Sequence, residues 1–484
     1  MDGERVGGGV GCGGYRGLDG RGLADSKSGG GDRSREPKAM LGHETPEGWL
    51  SAMERWALGR PGFWRVGPSI FPRGRGPVRA LLCSEANPVR AAVSSNPIHE
   101  FATELLAEWE RAGLLRVEDA DARDRVRAQA AALGGTFFDA SSNDYLGFAN
   151  EDVSRETSRR WAGASVGAGA SRLIHGTRAP HLKLESALAE WVGHETALLF
   201  TSGYAANLGL VSALGQPGTV VVSDALNHAS LIDGCRLSRA RVVVARHLEL
   251  ESVREALAGS GSDRARWVVT ESYFSMDGDG PDLPALRALC DEFGAALIVD
   301  EAHALGVFGS EGAGRCAEAN CRADAIVGTL GKSVGLQGAF VAGPRALRAL
   351  LWNRARSFVF STAMSPLLAA LALFHVQQVR AAETRRALLR AHSFLMRGRL
   401  AQANVPVVDS SFGPIVALLA GDEGRALALA ESLAREGVLA QAIRPPTVPA
   451  GEARVRLTLN ATWTTPKVDE LCVRVIRAVR SVGL

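Results

Sequence analysis

The chain has 484 residues, 46% of them hydrophobic and 22% charged, with a formal net charge of +3. That length suits two or three domains around a large core, and so small a charge argues against a nucleic-acid or membrane partner. Seven cysteines without regular spacing read as reduced thiols in the cytoplasm, and no apolar run is long enough to span a bilayer.

Residues 1–94 are expected to be a disordered extension, because their first half is rich in Gly, Arg, Asp and Ser and cannot bury a core. Met40 and Met53 stand as alternative starts. Residues 95–150 form an N-terminal helix and arm. Ser95-Asn96-Pro97 starts the helix, Phe101, Leu105, Leu106 and Trp109 follow at helical spacing, and Gly113 ends it. A strand near residue 137 then runs into a polar turn holding Asn143.

Residues 151–355 read as a large domain of alternating strands and helices, which predicts a mainly parallel, doubly wound sheet. Small residues crowd 163–176, which permits close backbone approach to a ligand or neighbouring subunit. Strand 196–200 leads through Thr201-Ser202-Gly203-Tyr204 into a helix, the pattern of a phosphate cradle. Strand 219–223 leads to Asp224 and His228, and strand 267–270 to Glu271 and Ser275. Residues 356–484 read as a small α+β domain. One long helical region spans 363–403, and β-α-β-β-α follows, which implies an antiparallel sheet.

Residues 296–332 hold the densest chemistry. The apolar run 296–300 ends in Asp300, with His303 just beyond, and a second run, 325–329, is followed by Leu330-Gly331-Lys332. In open α/β sheets ligands bind beyond the carboxyl ends of such strands. A lysine amine can form a Schiff base with an aldehyde, and an aspartate can hold a protonated pyridine nitrogen. Together they form a pyridoxal phosphate constellation; alone, Lys332 reads as a surface lysine and Asp300 as a helix cap. No metal site is expected, since Cys316 and Cys321 lack a second pair and adjacent histidines.

From about Asn96 onward the chain resembles the α-oxoamine synthases. SSNDYLG at Ser141, LLFTSGYAAN at Leu198, LNHASLIDGCRLS at Leu226, ESYFSMDGD at Glu271, IVDEAHALGVFG at Ile298 and GTLGK at Gly328 carry the resemblance. It implies the aspartate-aminotransferase fold (fold type I), pyridoxal phosphate as cofactor, and a homodimer with its active site at the interface. The stretch 442–459 is most similar to the branch of biotin synthesis that condenses L-alanine with pimeloyl-CoA or pimeloyl-acyl carrier protein. A glycine C-acyltransferase and a cofactor-free scaffold subunit are the alternatives.

The resemblance also implies roles. Lys332 would carry the cofactor and move the α-proton, Asp300 would pair with the pyridine nitrogen, His303 with the ring hydroxyl, and His228 would stack on the ring. Gly203, Tyr204, Ser275 and Thr329 would contact the cofactor, and Thr362 would reach the phosphate of the partner subunit. Arg444 and Asn143 would meet the amino acid carboxylate, and Arg116 and Thr447 the acyl substrate. Gln337 and Trp463 depart from the family's pattern and are expected to bear on acyl specificity.

Overall fold

The computed structural model describes residues 96–116, 118–151, 165–261 and 263–484. All of them belong to one compact unit, Gly76–Leu484. The expected disordered extension and residues 163–164 of the small-residue stretch lie outside the described residues.

A seven-stranded sheet carries the fold. Its strands are β2 (Thr196–Phe200), β3 (Thr219–Asp224), β4 (Arg241–Ala245), β5 (Ala265–Glu271), β6 (Ala296–Asp300), β7 (Ala325–Thr329) and β8 (Ala339–Gly343), in the order β2-β8-β7-β6-β5-β3-β4. All neighbours are parallel except β8, which is antiparallel to both β7 and β2. The apolar strands β6 and β7 lie at the centre, almost wholly buried. A sheet covered on both faces requires such runs. Residues 138–139, β1 (Phe138–Asp139), pair in parallel with β10 (Val438–Leu439). The N-terminal arm is therefore tied to the C-terminal region.

The helices are α1 (Pro97–Arg111), α2 (Ala122–Ala132), α3 (Ala179–Trp191), α4 (Gly203–Leu214), α5 (Ala229–Leu237), α6 (Leu250–Ala258), α7 (Leu283–Glu292), α8 (Arg315–Glu318), α9 (Arg345–Arg354), α10 (Arg356–Val359), α11 (Pro366–Ala381), α12 (Glu383–Gln402), α13 (Glu423–Arg435) and α14 (Thr465–Ser481). Asn96 caps α1 by accepting from the Ile98 and His99 N–H groups, as its position before Pro97 predicts. One face of the large sheet packs on α4, α5 and α10 through Leu210, Leu231 and Phe358, and the other on α6 and α7 through Leu257 and Leu286.

The region expected to be one helix across 363–403 is two, α11 and α12, broken at Ala382. The buried Arg386 guanidinium donates to the Val379 carbonyl at 2.6 Å and the Arg380 carbonyl at 2.9 Å. It thereby satisfies the last carbonyls of α11, which a continuous helix would have bonded internally. The C-terminal sheet is antiparallel, as expected, in the order β11 (Gln441–Ile443), β12 (Ala453–Thr458), β9 (Ile415–Gly421). The strand expected at 440–443 is β11, which joins β12; a separate short piece just before it, β10, joins β1. No helix among the described residues is long and apolar enough to cross a membrane.

Candidate active site

Strand register brings the acidic residues together. Asp300 at the end of β6 lies opposite Glu271 at the end of β5, and both are buried. Asp300 Oδ2 accepts from Asn207 Nδ2 at 2.7 Å, and Oδ1 from the Ala302 N–H at 2.8 Å. The same Asn207 amide donates to Ser230 Oγ at 2.9 Å, so α4 orients both the carboxylate and the start of α5.

Lys332 enters from the turn after β7. Burial lowers its amine to about 8; Asp300 and Glu271 oppose that shift and Arg456 adds to it. Burial likewise raises Glu271 to about 8, with Asp300 adding and Lys332 opposing. Glu271 Oε1 accepts from the His228 N–H at 2.6 Å. His228 is solvent-exposed on one side, yet desolvation by the surrounding protein lowers its pKa; Asp300 opposes this and Lys332 reinforces it. Its Nδ1 accepts from the Ser230 N–H at 3.2 Å, which leaves the ring proton on Nε2. His303 is buried and held far below its usual pKa by desolvation and by the charges of Lys332 and Arg456. Its Nδ1 shares a hydrogen bond of 2.6 Å with the Tyr145 hydroxyl.

The turn after β2 forms the second wall. Ser202 Oγ caps α4 by accepting from the Ala205 N–H at 3.1 Å. The N–H groups of Gly203 and Tyr204 have no hydrogen-bond partner among the described residues. A Cβ on Gly203 would lie 3.9 Å from Thr329 Oγ1, so α4 begins beside the end of β7. Thr329 Oγ1 accepts from the Gly331 N–H at 3.1 Å and donates to the Gly338 carbonyl at 3.2 Å, which fixes the turn that presents Lys332. Unpartnered N–H groups at the start of a twelve-residue helix, a buried amine and a neighbouring buried carboxylate are the donor set that pyridoxal phosphate requires.

Arg456 escaped the sequence reading. It lies on the wholly buried strand β12, donating to Asn143 Oδ1 at 2.7 Å and to the Ser275 carbonyl at 2.9 Å. Its charge reaches both Lys332 and His303. The available signal was a pair of arginines, Arg454 and Arg456, on a strand whose other side chains are mostly apolar; each needs a buried partner or a ligand. Tyr145 and Asn207, inside recognised motifs, were also passed over.

The remaining expected residues lie further out. Arg444 donates to the Gly113 carbonyl at 2.6 Å, which turns it toward the N-terminal arm. The exposed Arg116 reaches Thr447 Oγ1 at 3.4 Å. Thr362 is exposed and bridges to Ser171. Trp463 packs edge-on against Phe138, ring centroids 5.4 Å apart, and Gln337 is exposed. Thr447 and Ser275 line one cavity of about 450 Å³, whose apolar walls include Leu226, Ile232, Phe274 and Val448.

Residues 136–475 match the family model of class I and II aminotransferases. The chain is 45% identical over 335 residues to an 8-amino-7-oxononanoate synthase of Acidithiobacillus ferrooxidans, covering 68% of this chain and 85% of that one. A protein of the same name from Anaeromyxobacter dehalogenans is 46% identical over 340 residues, 69% and 85% of the two chains. Among solved structures, Sphingomonas wittichii serine palmitoyltransferase superposes with a TM-score of 0.73 at 30% identity, covering 80% of this chain and 99% of that one. The 8-amino-7-oxononanoate synthase of Francisella tularensis shares the fold, with a TM-score of 0.62 at 23% identity, covering 72% and 99%. The chain thus belongs to the class I and II aminotransferase family, fold type I, among its α-oxoamine synthases, and is a pyridoxal-phosphate-dependent acyltransferase.

Proposed function

We propose that the protein condenses L-alanine with a pimeloyl thioester, carried on coenzyme A or acyl carrier protein, to give 8-amino-7-oxononanoate, carbon dioxide and the free thiol, as a step of biotin synthesis. The observation that carries this reading is a poised lysine beside a buried arginine, with an apolar cavity close by. The 45% identity to a protein of that name supports the choice of substrates.

When bound, pyridoxal phosphate supplies an electron sink for the charge left on the amino acid α-carbon. Gly203 and Tyr204 offer free backbone N–H groups to its phosphate, and Thr329 frames the same turn. Asp300, fixed by Asn207, would meet the pyridine nitrogen. Neutral His303, fixed by Tyr145, would offer Nε2 to the ring hydroxyl, and His228 would stack on the ring.

The Lys332 amine takes the α-proton and returns it. An amine near pH 8 does this more readily than an ordinary lysine, because the best proton-transfer group has a pKa near the working pH. Arg456 and Asn143 hold the substrate carboxylate; this moves to Arg456 part of the task the resemblance assigns to Arg444. Ser275 and Thr447 face the acyl chain, whose methylene groups favour the apolar cavity walls.

Two copies would complete the site. Val166, Ile174 and Phe360, in the segments around the Ser171–Thr362 bridge, are 75%, 76% and 71% exposed. Such an apolar surface suits a subunit interface, with Thr362 serving the partner's phosphate. The same reading makes residues 151–355 the cofactor-binding domain and 356–484 the small domain.

The test is product mass from purified protein with pyridoxal phosphate. One sample receives L-alanine and pimeloyl-CoA or pimeloyl-acyl carrier protein, a second glycine and acetyl-CoA, a third L-serine and palmitoyl-CoA. 8-Amino-7-oxononanoate from the first alone is expected. An aminoketone from either other sample alone overturns the substrate assignment.

A further inference from the structure

Two cysteines lie together outside the proposed site. Cys316 is in α8 and Cys321 follows it by five residues. The Cys321 N–H donates to the Cys316 carbonyl at 2.9 Å, and Asn320 between them has a φ of 49°. This six-residue closure, with a left-handed residue before its end, folds the helix terminus back on itself. It brings the two residues into the range a disulfide spans. Both cysteines are free, and Cys321 Sγ donates to the Leu283 carbonyl at 3.4 Å.

Access and charge differ between the two. Cys321 lines a surface groove with Arg287, Arg322 and His194. Cys321 is 8% exposed, whereas Cys316 does not line the groove and is 3% exposed. The neighbouring Cys316 thiol lowers the Cys321 thiol; burial opposes that and Arg287 assists it. The adjacent Cys321 sulfur and burial push Cys316 up. A cysteine at a groove lined by Arg287 and Arg322, with a second cysteine held beside it by the backbone closure, is the arrangement of an attacking and a resolving pair.

We propose that Cys316 and Cys321 form an oxidation site, in which a hydroperoxide converts the two thiols to an intrachain disulfide. The Cys321 thiolate attacks a peroxide oxygen; an S–O bond forms, the O–O bond breaks, and hydroxide leaves and takes up a proton. The Cys316 sulfur then displaces the hydroxyl from Cys321. An S–S bond forms, the S–O bond breaks, and the Cys316 proton leaves with the hydroxyl as water. Two thiols are oxidised and one hydrogen peroxide is reduced to two waters. Cys290, in the same apolar cluster, is the internal reference: it is fully buried and burial pushes its thiol up to about 12. The bond would also stiffen the back of the catalytic strand, because the Arg315 and Cys316 N–H groups donate to Glu301, the residue after Asp300, at 3.0 and 2.6 Å.

The test uses the full-length holoenzyme treated with hydrogen peroxide, denatured, labelled with iodoacetamide and digested with trypsin without reductant. Cleavage after Arg315 and Arg322 puts both sulfurs in the single peptide 316–322. The expected peptide is unlabelled and two hydrogens lighter, and takes two labels after dithiothreitol, while Cys290 is labelled throughout. In Cys316→Ser, dimedone should capture a sulfenic acid on Cys321. Full labelling of both cysteines after peroxide overturns the proposal, and so does sulfinic acid on Cys321 with Cys316 still labelled. Neither result depends on which substrates the enzyme takes.

Discussion

Replacing Arg456 tests the substrate-binding reading most directly. Its guanidinium makes two charge-assisted hydrogen bonds, to Asn143 Oδ1 at 2.7 Å and the Ser275 carbonyl at 2.9 Å, from a position only 8% exposed. Arg456→Lys keeps the charge but lacks the planar fork, so it can hold one of those acceptors and not both. A hydrogen bond to a charged group is worth about 1.5–3 kcal/mol. The loss of one predicts a fall of about ten- to 150-fold in kcat/KM for L-alanine, since each 1.4 kcal/mol is roughly tenfold. The KM for the acyl thioester should change little. Arg456→Gln also removes a charge that lowers the Lys332 amine, so that amine should titrate at higher pH than in the parent. The assay is steady-state kinetics with each substrate varied in turn, on variants whose thermal midpoints show them folded. If Arg456→Lys keeps kcat/KM for L-alanine within about threefold of the parent, or loses affinity for the thioester instead, Arg456 does not hold the carboxylate.

Other outcomes follow from the same geometry. Cofactor loading needs the unprotonated Lys332 amine, so the rate at which apoprotein takes up pyridoxal phosphate, followed by absorbance, should rise with pH and level off above about 8; Glu271→Gln should move that midpoint down, because Glu271 raises Lys332, and a midpoint near the ordinary lysine value of 10.5 would sink the argument. Tyr145→Phe should leave His303 Nδ1 buried without its partner and cost about 1–3 kcal/mol in denaturant unfolding. Glu185→Gln should cost more, about 3–5 kcal/mol, because Glu185 bonds Arg172 at 2.9 Å and Arg348 at 3.0 Å, and Arg172 is left buried without its counterion; a loss under about 1 kcal/mol would count against it. Burial disfavours the charged form of His247, but Asp224 and Asp279 outweigh it and raise it to about 9. Its contribution to stability should be complete below about pH 6.5 and fade as pH rises through 9, a dependence that His247→Asn abolishes in unfolding curves taken across that range.

The parts legible in the sequence were those written in local pattern. Apolar runs at 296–300 and 325–329 gave the central strands, and the residues just beyond them, Asp300, His303 and Lys332, are where the buried charges gather. Periodicity could not reveal pairings made across the chain. The break at Ala382 is imposed by Arg386, whose side chain takes carbonyls that apolar spacing treats as part of one helix. The partition of 438–443 between two sheets depends on β1, about 300 residues earlier. Arg456 was overlooked because the stretch 442–459 was read only as a strand and as a mark of the family branch, and its contact with Asn143 is made across the chain; Arg444, two prolines away from Thr447, drew attention by its motif, and its guanidinium faces Gly113.

The pairing of β1 with β10 has a consequence for the order in which the protein is made. Asn143 hydrogen-bonds Arg456, which lies 313 residues later, and Phe138 is matched with Val438. A ribosome releases the cofactor strands β5 to β7 long before either partner emerges. The large sheet can therefore collapse on the nascent chain while the segment bearing Asn143 waits, with Tyr145 and Leu146, which are wholly buried in the finished protein, still uncovered. Synthesis in this order makes 438–456 the closing piece. Nascent chains stalled before Val438 should hold a protease-resistant sheet but expose residues 137–147 to cleavage, and chains released beyond Thr458 should protect both.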